Sequence, residues 1–149
     1  MKSVYLCGPI SGLSYEQATQ ERERLAERFR DVGVEAKSPM RGKIYLLNER
    51  ELKTGGYTQA MSTDRAIVGR DRFDVRSSDC ILADLRFASK VSIGSMVEFG
   101  WADAFGVPIV TVMEKDNPTH NHAFVHQLST YVVDDIDEAF NLVAVLLNA

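Results

Sequence analysis

Short runs of β-branched and other apolar residues alternate along this chain with longer stretches in which apolar residues recur at helical spacing. The alternation is typical of a parallel sheet covered by helices, because parallel strands need a long crossover between them. The predicted strands are Ser3–Cys7, Val34–Lys37, Cys80–Leu85, Pro108–Met113 and Thr130–Val133. The sequence therefore predicts an α/β fold with a doubly wound, five-stranded parallel sheet in the order 2-1-3-4-5, of flavodoxin-like or Rossmann-like topology, with helices on both faces.

The helical stretches lie between and after these strands. The predicted helices are Tyr15–Val32, Thr58–Ser77, Ile93–Phe105 and Ile136–Leu147. Ser14 and Gln17 form a capping box at the start of the first. The apolar side of the second is assigned to Met61, Val68, Phe73 and Val75. The polar, glycine-containing segment Met40–Tyr57 is interpreted as an irregular excursion after the second strand, of a length typical of lids.

Length and charge exclude several classes of protein. The 149 residues fit one domain over 1–149, and a net charge of −4, from 17 Lys and Arg against 21 Asp and Glu, does not favour a nucleic-acid partner. We expect no signal peptide and no membrane segment, since the apolar runs are too short. Cys7 and Cys80 lie within predicted strands and are interpreted as buried thiols, so a cytoplasmic location is expected.

The loop after the first strand reads Gly8-Pro9-Ile10-Ser11-Gly12. In a doubly wound sheet, ligands bind beyond the carboxyl ends of the strands, where the strand order reverses. Two glycines permit a close approach of backbone to ligand, and the helix that follows supplies free N–H groups for a phosphate or a sugar. The loop matches neither G-x-G-x-x-G nor a P-loop, so a tight turn without a ligand is the alternative.

The loop after the third strand ends in Ser92, Gly94 and Ser95, with Glu98 one helical turn further on. Ser95-x-x-Glu98 also fits a capping box, in which Glu98 would bond only the Ser95 backbone. The position beyond the third strand favours a ligand-binding role instead. Asp71 on the preceding helix becomes a functional candidate if a second carboxylate lies across the site.

All three histidines cluster in His120-x-His122-x3-His126. Two of them share one face if the segment is helical, which raises the possibility of a metal site. No cysteine lies nearby to complete a ligand set, and Asn117-Pro118 indicates an irregular loop. The sequence therefore predicts neither a metal nor a cofactor.

Several motifs occur together and in order: Val4–Gly12, Ser78–Leu85, Ser92-x-Gly94-x3-Glu98-x-Gly100-x-Ala102 and Gly106-x-Pro108-Ile109. This set resembles the nucleoside 2-deoxyribosyltransferase family, which includes the related nucleoside 5′-monophosphate N-glycosidases. The resemblance covers nearly the whole chain. It implies cleavage of the N-glycosidic bond of a nucleoside or its 5′-monophosphate as the activity.

The resemblance also assigns roles to three residues. Glu98 matches the nucleophile that attacks C1′ and forms a covalent glycosyl-enzyme, as in retaining glycosidases. Tyr5 matches the tyrosine that holds this nucleophile in place. Asp71 lies where the family keeps the acid that contacts the base. The presence of all three favours an enzyme over the alternative, a nucleotide-binding sensor without turnover.

The resemblance further implies a substrate site with one informative departure. Transferases that use free nucleosides carry Asp six residues before the nucleophile, where this chain has Ser92, and a hydroxyl at a helix N-terminus favours a 5′-phosphate. The other predicted substrate-binding residues are Gly8, Ile10, Ser11, Gly12, Gly94 and Ser95, with Arg41 or Lys43 reaching in from the excursion. The family also takes an Asn from a neighbouring subunit, for which Asn117 and Asn121 are both candidates, so a homo-oligomer with shared sites is expected.

Overall fold

The computed structural model describes residues 1–148, and it contains strands and helices in strict alternation. In chain order the elements are β1 (Ser3–Cys7), α1 (Tyr15–Asp31), β2 (Glu35–Lys37), α2 (Asp64–Arg76), β3 (Cys80–Asp84), α3 (Ile93–Phe105), β4 (Ile109–Val112), α4 (Ala123–Leu128), β5 (Tyr131–Val133) and α5 (Ile136–Asn148). Within residues 1–148, no helix combines the length and the apolar character needed to cross a bilayer.

All strands of the sheet are parallel, in the order β2-β1-β3-β4-β5. The predicted fold class and strand order are therefore confirmed. β1 lies between β2 and β3, and Tyr5 of β1 is in register with Ile81 of β3. The carboxyl ends of β1 and β3 mark the point where the strand order reverses, which is where a ligand is expected.

Alternate residues of the strands pack into two separate apolar cores. On one face, Val4 and Leu6 of β1 pack with Phe29 of α1 and with α5. On the other face, Tyr5 and Cys7 pack with residues of α2, α3 and α4. Because side chains alternate along a strand, this register directs the Tyr5 phenol toward α3. Cys7 and Cys80 are both buried free thiols, as predicted.

The helix α2 begins later than predicted. Its N-cap is Thr63, whose hydroxyl accepts from the Ala66 N–H, and not a residue near Thr58. The residues before it form a short 3₁₀ turn at Ala60–Ser62. The Thr63 side chain satisfies a free N–H at the first turn, which fixes the true start.

The predicted apolar side of α2 is also wrong. Of its four residues only Val75 is buried, and the exposed ones are Met61, Val68 and Phe73. The buried face of the helix carries Asp71 and Asp74 instead. Apolar periodicity does not predict the buried face of α2, because two carboxylates, and not two apolar side chains, face the interior of the protein there.

The excursion Met40–Tyr57 packs against the start of α1. Met40, Leu46 and Leu52 form a small apolar cluster with Tyr15 and Ala18. The Gly12 N–H donates to the Leu52 carbonyl over 2.8 Å, and the Leu52 N–H donates to the Leu13 carbonyl over 2.7 Å. The excursion is thereby fixed beside the loop that follows β1.

Helix α4 is an addition to the predicted elements. Its six residues, Ala123–Leu128, are too few for a helical period to stand out in the sequence. The capping box at the start of α1 is confirmed, with Ser14 and Gln17 each accepting from the other's backbone N–H.

Candidate active site

A buried tyrosine and a buried glutamate meet at the carboxyl end of β1. The Tyr5 hydroxyl donates to Glu98 Oε1 over 2.8 Å. Tyr5 is fully buried and Glu98 is 7% exposed. Glu98 lies on the second turn of α3, on the side of the helix that faces the sheet. The contact brings together two of the residues that the sequence predicted to act as a unit.

The start of α3 is capped by Ser92. Its hydroxyl accepts from the Ser95 N–H over 3.3 Å and lies 2.8 Å from the Ser95 hydroxyl. Glu98 therefore does not close a capping box on Ser95, and that alternative is wrong. The cap leaves the N–H groups of Ile93 and Gly94 without a partner among residues 1–148, as is usual in a first helical turn.

The electrostatics of Glu98 are set first by burial, which raises the pKa of its carboxyl to about 7. The thiol of Cys7 and the hydroxyl of Tyr5 contact the ionised form and lower this pKa, while the charge of Asp71 raises it. Burial and the neighbouring Glu98 raise the pKa of Tyr5 well above its usual range, so the phenol stays a donor. Both forms of Glu98 are therefore accessible near neutral pH.

Asp71 is the second carboxylate of the site. Its side chain is buried, and Oδ1 has no hydrogen-bond partner within residues 1–148. Burial raises its pKa to about 6, against the opposing influence of Lys43. A carboxyl with such a pKa can deliver a proton at neutral pH. The charge of Asp71 raises the pKa of Glu98, so the two carboxyls lie close enough to interact.

Arg41 is held by α2. Its guanidinium makes two bonds to the Asp74 carboxylate, of 2.6 and 2.8 Å, and Arg70 donates to the Arg41 carbonyl over 2.7 Å. The contact with Asp74 raises the pKa of Arg41. The guanidinium therefore lies against α2 and not in the loop after β1. Lys43, two residues on, is buried, and its charge acts on Asp71.

The loop after β1 makes a close approach to β3. A Cβ on Gly8 would lie 2.7 Å from the Asp84 carbonyl oxygen, so only glycine fits. Gly12 adopts a φ of +84°, which also favours glycine. Between them, Ile10 is half-buried and Ser11 is exposed. The loop therefore runs over the carboxyl ends of β1 and β3.

Arg22 supports this loop and was missed by the sequence analysis. From α1 it donates to the carbonyls of Ala18 (2.6 Å), Gly8 (2.9 Å) and Leu6 (3.3 Å). The sequence contains a signal for this contact, because Arg22 falls between Ala18 and Leu25 in the apolar stripe of the helix. A charged residue in an apolar stripe indicates a buried polar contact.

The segment after β4 supports the start of α3. Asn117 is buried, and its amide donates to Glu114 (2.6 Å) and accepts from the N–H groups of Thr119 (3.0 Å) and His120 (2.6 Å). His120 Nε2 in turn accepts from the Ser92 N–H over 3.1 Å. Asn117 is thus engaged within its own chain.

The remaining members of this segment point elsewhere. Asn121 is exposed, and its side chain lies 2.8 Å from His126 Nε2. His122 caps α4 by accepting from the Phe124 N–H. In the described part of the chain, no group of three or more His, Cys, Asp or Glu side chains is arranged to hold a metal ion.

Comparisons with known proteins assign this chain to a family. The family model for nucleoside 2-deoxyribosyltransferases matches residues 4–143. No curated protein matches the chain.

Several solved structures share its fold at low sequence identity. A 2-desoxiribosyltransferase from Leishmania mexicana superposes with a TM-score of 0.68 at 17% identity, covering 97% of each chain. A 2-deoxyribosyltransferase from Bacillus psychrosaccharolyticus gives 0.64 at 15% identity, covering 95% of this chain and 90% of that one. A CMP N-glycosidase from Clostridium botulinum gives 0.60 at 21% identity, covering 98% and 100%. The chain belongs to the nucleoside 2-deoxyribosyltransferase family, whose members act on the N-glycosidic bonds of nucleosides or nucleotides.

Proposed function

We propose that this protein cleaves the N-glycosidic bond of a nucleoside or its 5′-monophosphate, with Glu98 as nucleophile and Asp71 as the acid that contacts the base. One observation carries the proposal: a buried glutamate with a raised pKa receives a hydrogen bond from Tyr5 and lies near a second buried carboxyl. In retaining glycosidases one carboxyl of such a pair acts as nucleophile and the other as acid.

The proposed reaction has two steps. The ionised Glu98 carboxylate attacks C1′, the C1′–N bond breaks, and its electron pair goes to the base while Asp71 delivers a proton to it. Water or a second base then attacks C1′, gives its proton to Asp71 and releases the Glu98 carboxylate. The Tyr5 hydroxyl keeps its hydrogen bond to Oε1 throughout and orients the other oxygen toward the sugar.

A nucleotide-binding sensor that uses the same pocket without turnover is the second candidate. Burying two carboxyls disfavours their ionised forms, and a module that only binds has no need of this arrangement. The test is incubation with a panel of nucleosides and 5′-monophosphates, with and without an acceptor base, followed by chromatography of the free base. Release of base supports the enzyme, transfer to the acceptor identifies a transferase, and binding without release supports the sensor.

The start of α3 supports a preference for a 5′-phosphate. Ser92 and Ser95 present hydroxyls there, beside the free N–H groups of the first turn and its positive dipole end. We expect the wild type to cleave a monophosphate with a kcat/KM about 10-fold or more above that for the free nucleoside, as charge-assisted hydrogen bonds predict. Ser92→Asp places a carboxylate beside the phosphate and should reverse this order.

The measurement is kcat/KM for one base presented in both forms, in the wild type and in Ser92→Asp. Ser92→Thr serves as the matched control, because it keeps the hydroxyl and the cap. A wild type that already prefers the free nucleoside would remove the phosphate site from the proposal.

Exposed apolar side chains surround the start of α3 and α4, and they support a homo-oligomer. Ile93 and Phe124 are exposed by 79% and 73%, with Val91 nearby, and Asn121 lies beside them in the chain. We propose that this face binds a second copy and that Asn121, whose amide is exposed, contributes to the neighbouring site. Light scattering should then show that Phe124→Glu is monomeric, while Val145→Glu, on the exposed side of α5, should stay oligomeric.

Subunit mixing tests the shared site directly. Glu98→Gln and Asn121→Ala should each be weakly active alone, and mixing them should restore about a quarter of the wild-type activity if random dimers exchange subunits. Mixed subunits that stay as inactive as the separate variants would refute sharing.

A further inference from the structure

Lys43 is buried without a partner of its own. The residue is 5% exposed, and among residues 1–148 its ammonium makes neither a hydrogen bond nor an ion pair. Burial lowers its pKa. Its Nζ is not among the enclosed side-chain atoms without a partner in residues 1–148, so the ammonium reaches solvent, where a bound ligand can accept a hydrogen bond from it.

The placement of Lys43 is rigid. The bidentate pair between Arg41 and Asp74 and the bond from Arg70 to the Arg41 carbonyl tie this turn to α2. The backbone of Lys43 itself donates to the Met40 carbonyl over 3.2 Å and accepts from the Leu46 N–H over 2.9 Å. Lys43 is therefore held over the face of α2 that carries Asp71.

Asp71 and Lys43 are close in space without satisfying each other. The Lys43 charge lowers the pKa of Asp71 and the Asp71 charge raises that of Lys43, which places each within range of the other. Yet the two form no ion pair within 4.0 Å in the described part of the chain, and Asp71 Oδ1 is unpartnered. Two complementary groups separated by a gap can be bridged by a ligand that lies between them.

We propose, building on the function proposed above, that Lys43 and Asp71 together recognise the base by hydrogen bonds. They select a nucleobase in which a ring nitrogen acceptor lies beside a carbonyl oxygen. Lys43 is always a donor, and Asp71 is a donor when it delivers its proton to the leaving base. Two donors fit two neighbouring acceptors. The N7 and O6 of guanine or hypoxanthine form such an edge, and so do the N3 and O2 of cytosine.

The remaining bases present a donor where an acceptor is needed. Adenine places its amino group beside N7, and uracil and thymine place an N–H between their two carbonyls. In each case a donor of the base meets a donor of the protein, which leaves buried polar groups unpaired. The site therefore discriminates against these three bases.

The test compares six deoxynucleoside 5′-monophosphates in the wild type and in Lys43→Met, which keeps the length of the side chain and removes its charge. The wild type should prefer guanine, hypoxanthine and cytosine, and Lys43→Met should lose about 10- to 100-fold in kcat/KM on these three, with under about 3-fold on the others. Lys2→Met, remote from the site, is the matched control. An equal loss on all six bases, or a wild type that prefers adenine or uracil, would overturn the proposal.

A binding measurement separates this inference from the proposed function. If no substrate releases its base, the proposed function fails, and calorimetry with free hypoxanthine, cytosine, adenine and uracil at pH 5.5 then decides the inference alone. Tight binding of the first two that weakens at least about 10-fold in Lys43→Met supports base reading. Equal binding of all four, or binding unaffected by Lys43→Met, contradicts it.

Discussion

Glu98→Gln is expected to lower kcat by about a thousandfold or more while the protein stays folded. The amide keeps the shape of the side chain and can still accept the hydrogen bond from Tyr5, but it lacks the charge that the proposed attack on C1′ requires. The measurement is single-turnover release of base, with circular dichroism to verify the fold. Glu138→Gln, on the exposed side of α5, is the matched control.

The proposed covalent intermediate gives a second readout for the same residue. Mass spectrometry of the wild type, quenched during turnover, should show a peptide containing Glu98 that is heavier by one glycosyl group. Near-normal turnover of Glu98→Gln, or an adduct on another residue, would show that the nucleophile has been misassigned.

Asp71→Asn should reduce kcat by about 10²- to 10⁴-fold, the range typical of a general acid. The loss should be greatest for bases that leave poorly, since those depend most on protonation. A change of equal size for good and poor leaving groups would argue for a structural role. Asp64→Asn, exposed at the start of the same helix, serves as the control.

The pH profile separates the two carboxyls. The proposed reaction needs Glu98 ionised and Asp71 protonated, and their pKa values are raised to about 7 and about 6. A plot of kcat/KM against pH should therefore be a narrow bell for the wild type, with its maximum between pH 6 and 7. Its rising and falling limbs report the coupled titration of the two carboxyls. In Asp71→Asn the decline at high pH should disappear, because only the ionisation of Glu98 then remains.

The sequence was sufficient to predict the sheet. It was also sufficient to locate the residues that apolar periodicity or a motif identifies. Strands such as Ser3–Cys7 are buried on both faces, so they stand out as apolar runs, and the strand order follows from the rules for parallel crossovers. The proximity of Tyr5 and Glu98 could be expected for the same reason, since the first strand and the helix after the third strand meet at the switch point.

The sequence could not predict the contacts among polar side chains from distant segments. The pairing of Arg41 with Asp74 and the approach of Lys43 to Asp71 join the excursion to α2, and neither segment has a pattern that gives its partner. The apolar side of α2 was misassigned for this reason, because Asp71 and Asp74 replace the apolar residues that a period would reveal. Likewise, nothing in the spacing distinguishes Asn117 from Asn121, although Asn117 is buried and bonded to several residues of its own chain, whereas Asn121 is exposed and contacts His126.

The hydrogen bond from Tyr5 to Glu98 has a consequence for how the protein acquires its activity. It joins residues 93 positions apart, and β1 takes its place in the sheet only through pairing with β2 and β3, which are formed from later parts of the chain. Non-local pairing of this kind is slow, because the entropy of closing a long loop must be overcome before the contact is made. During synthesis the phenol emerges first and has no carboxylate to meet until α3 has been made. A chain whose synthesis stops before α3 is complete therefore contains Tyr5 without the carboxylate that accepts its hydrogen bond.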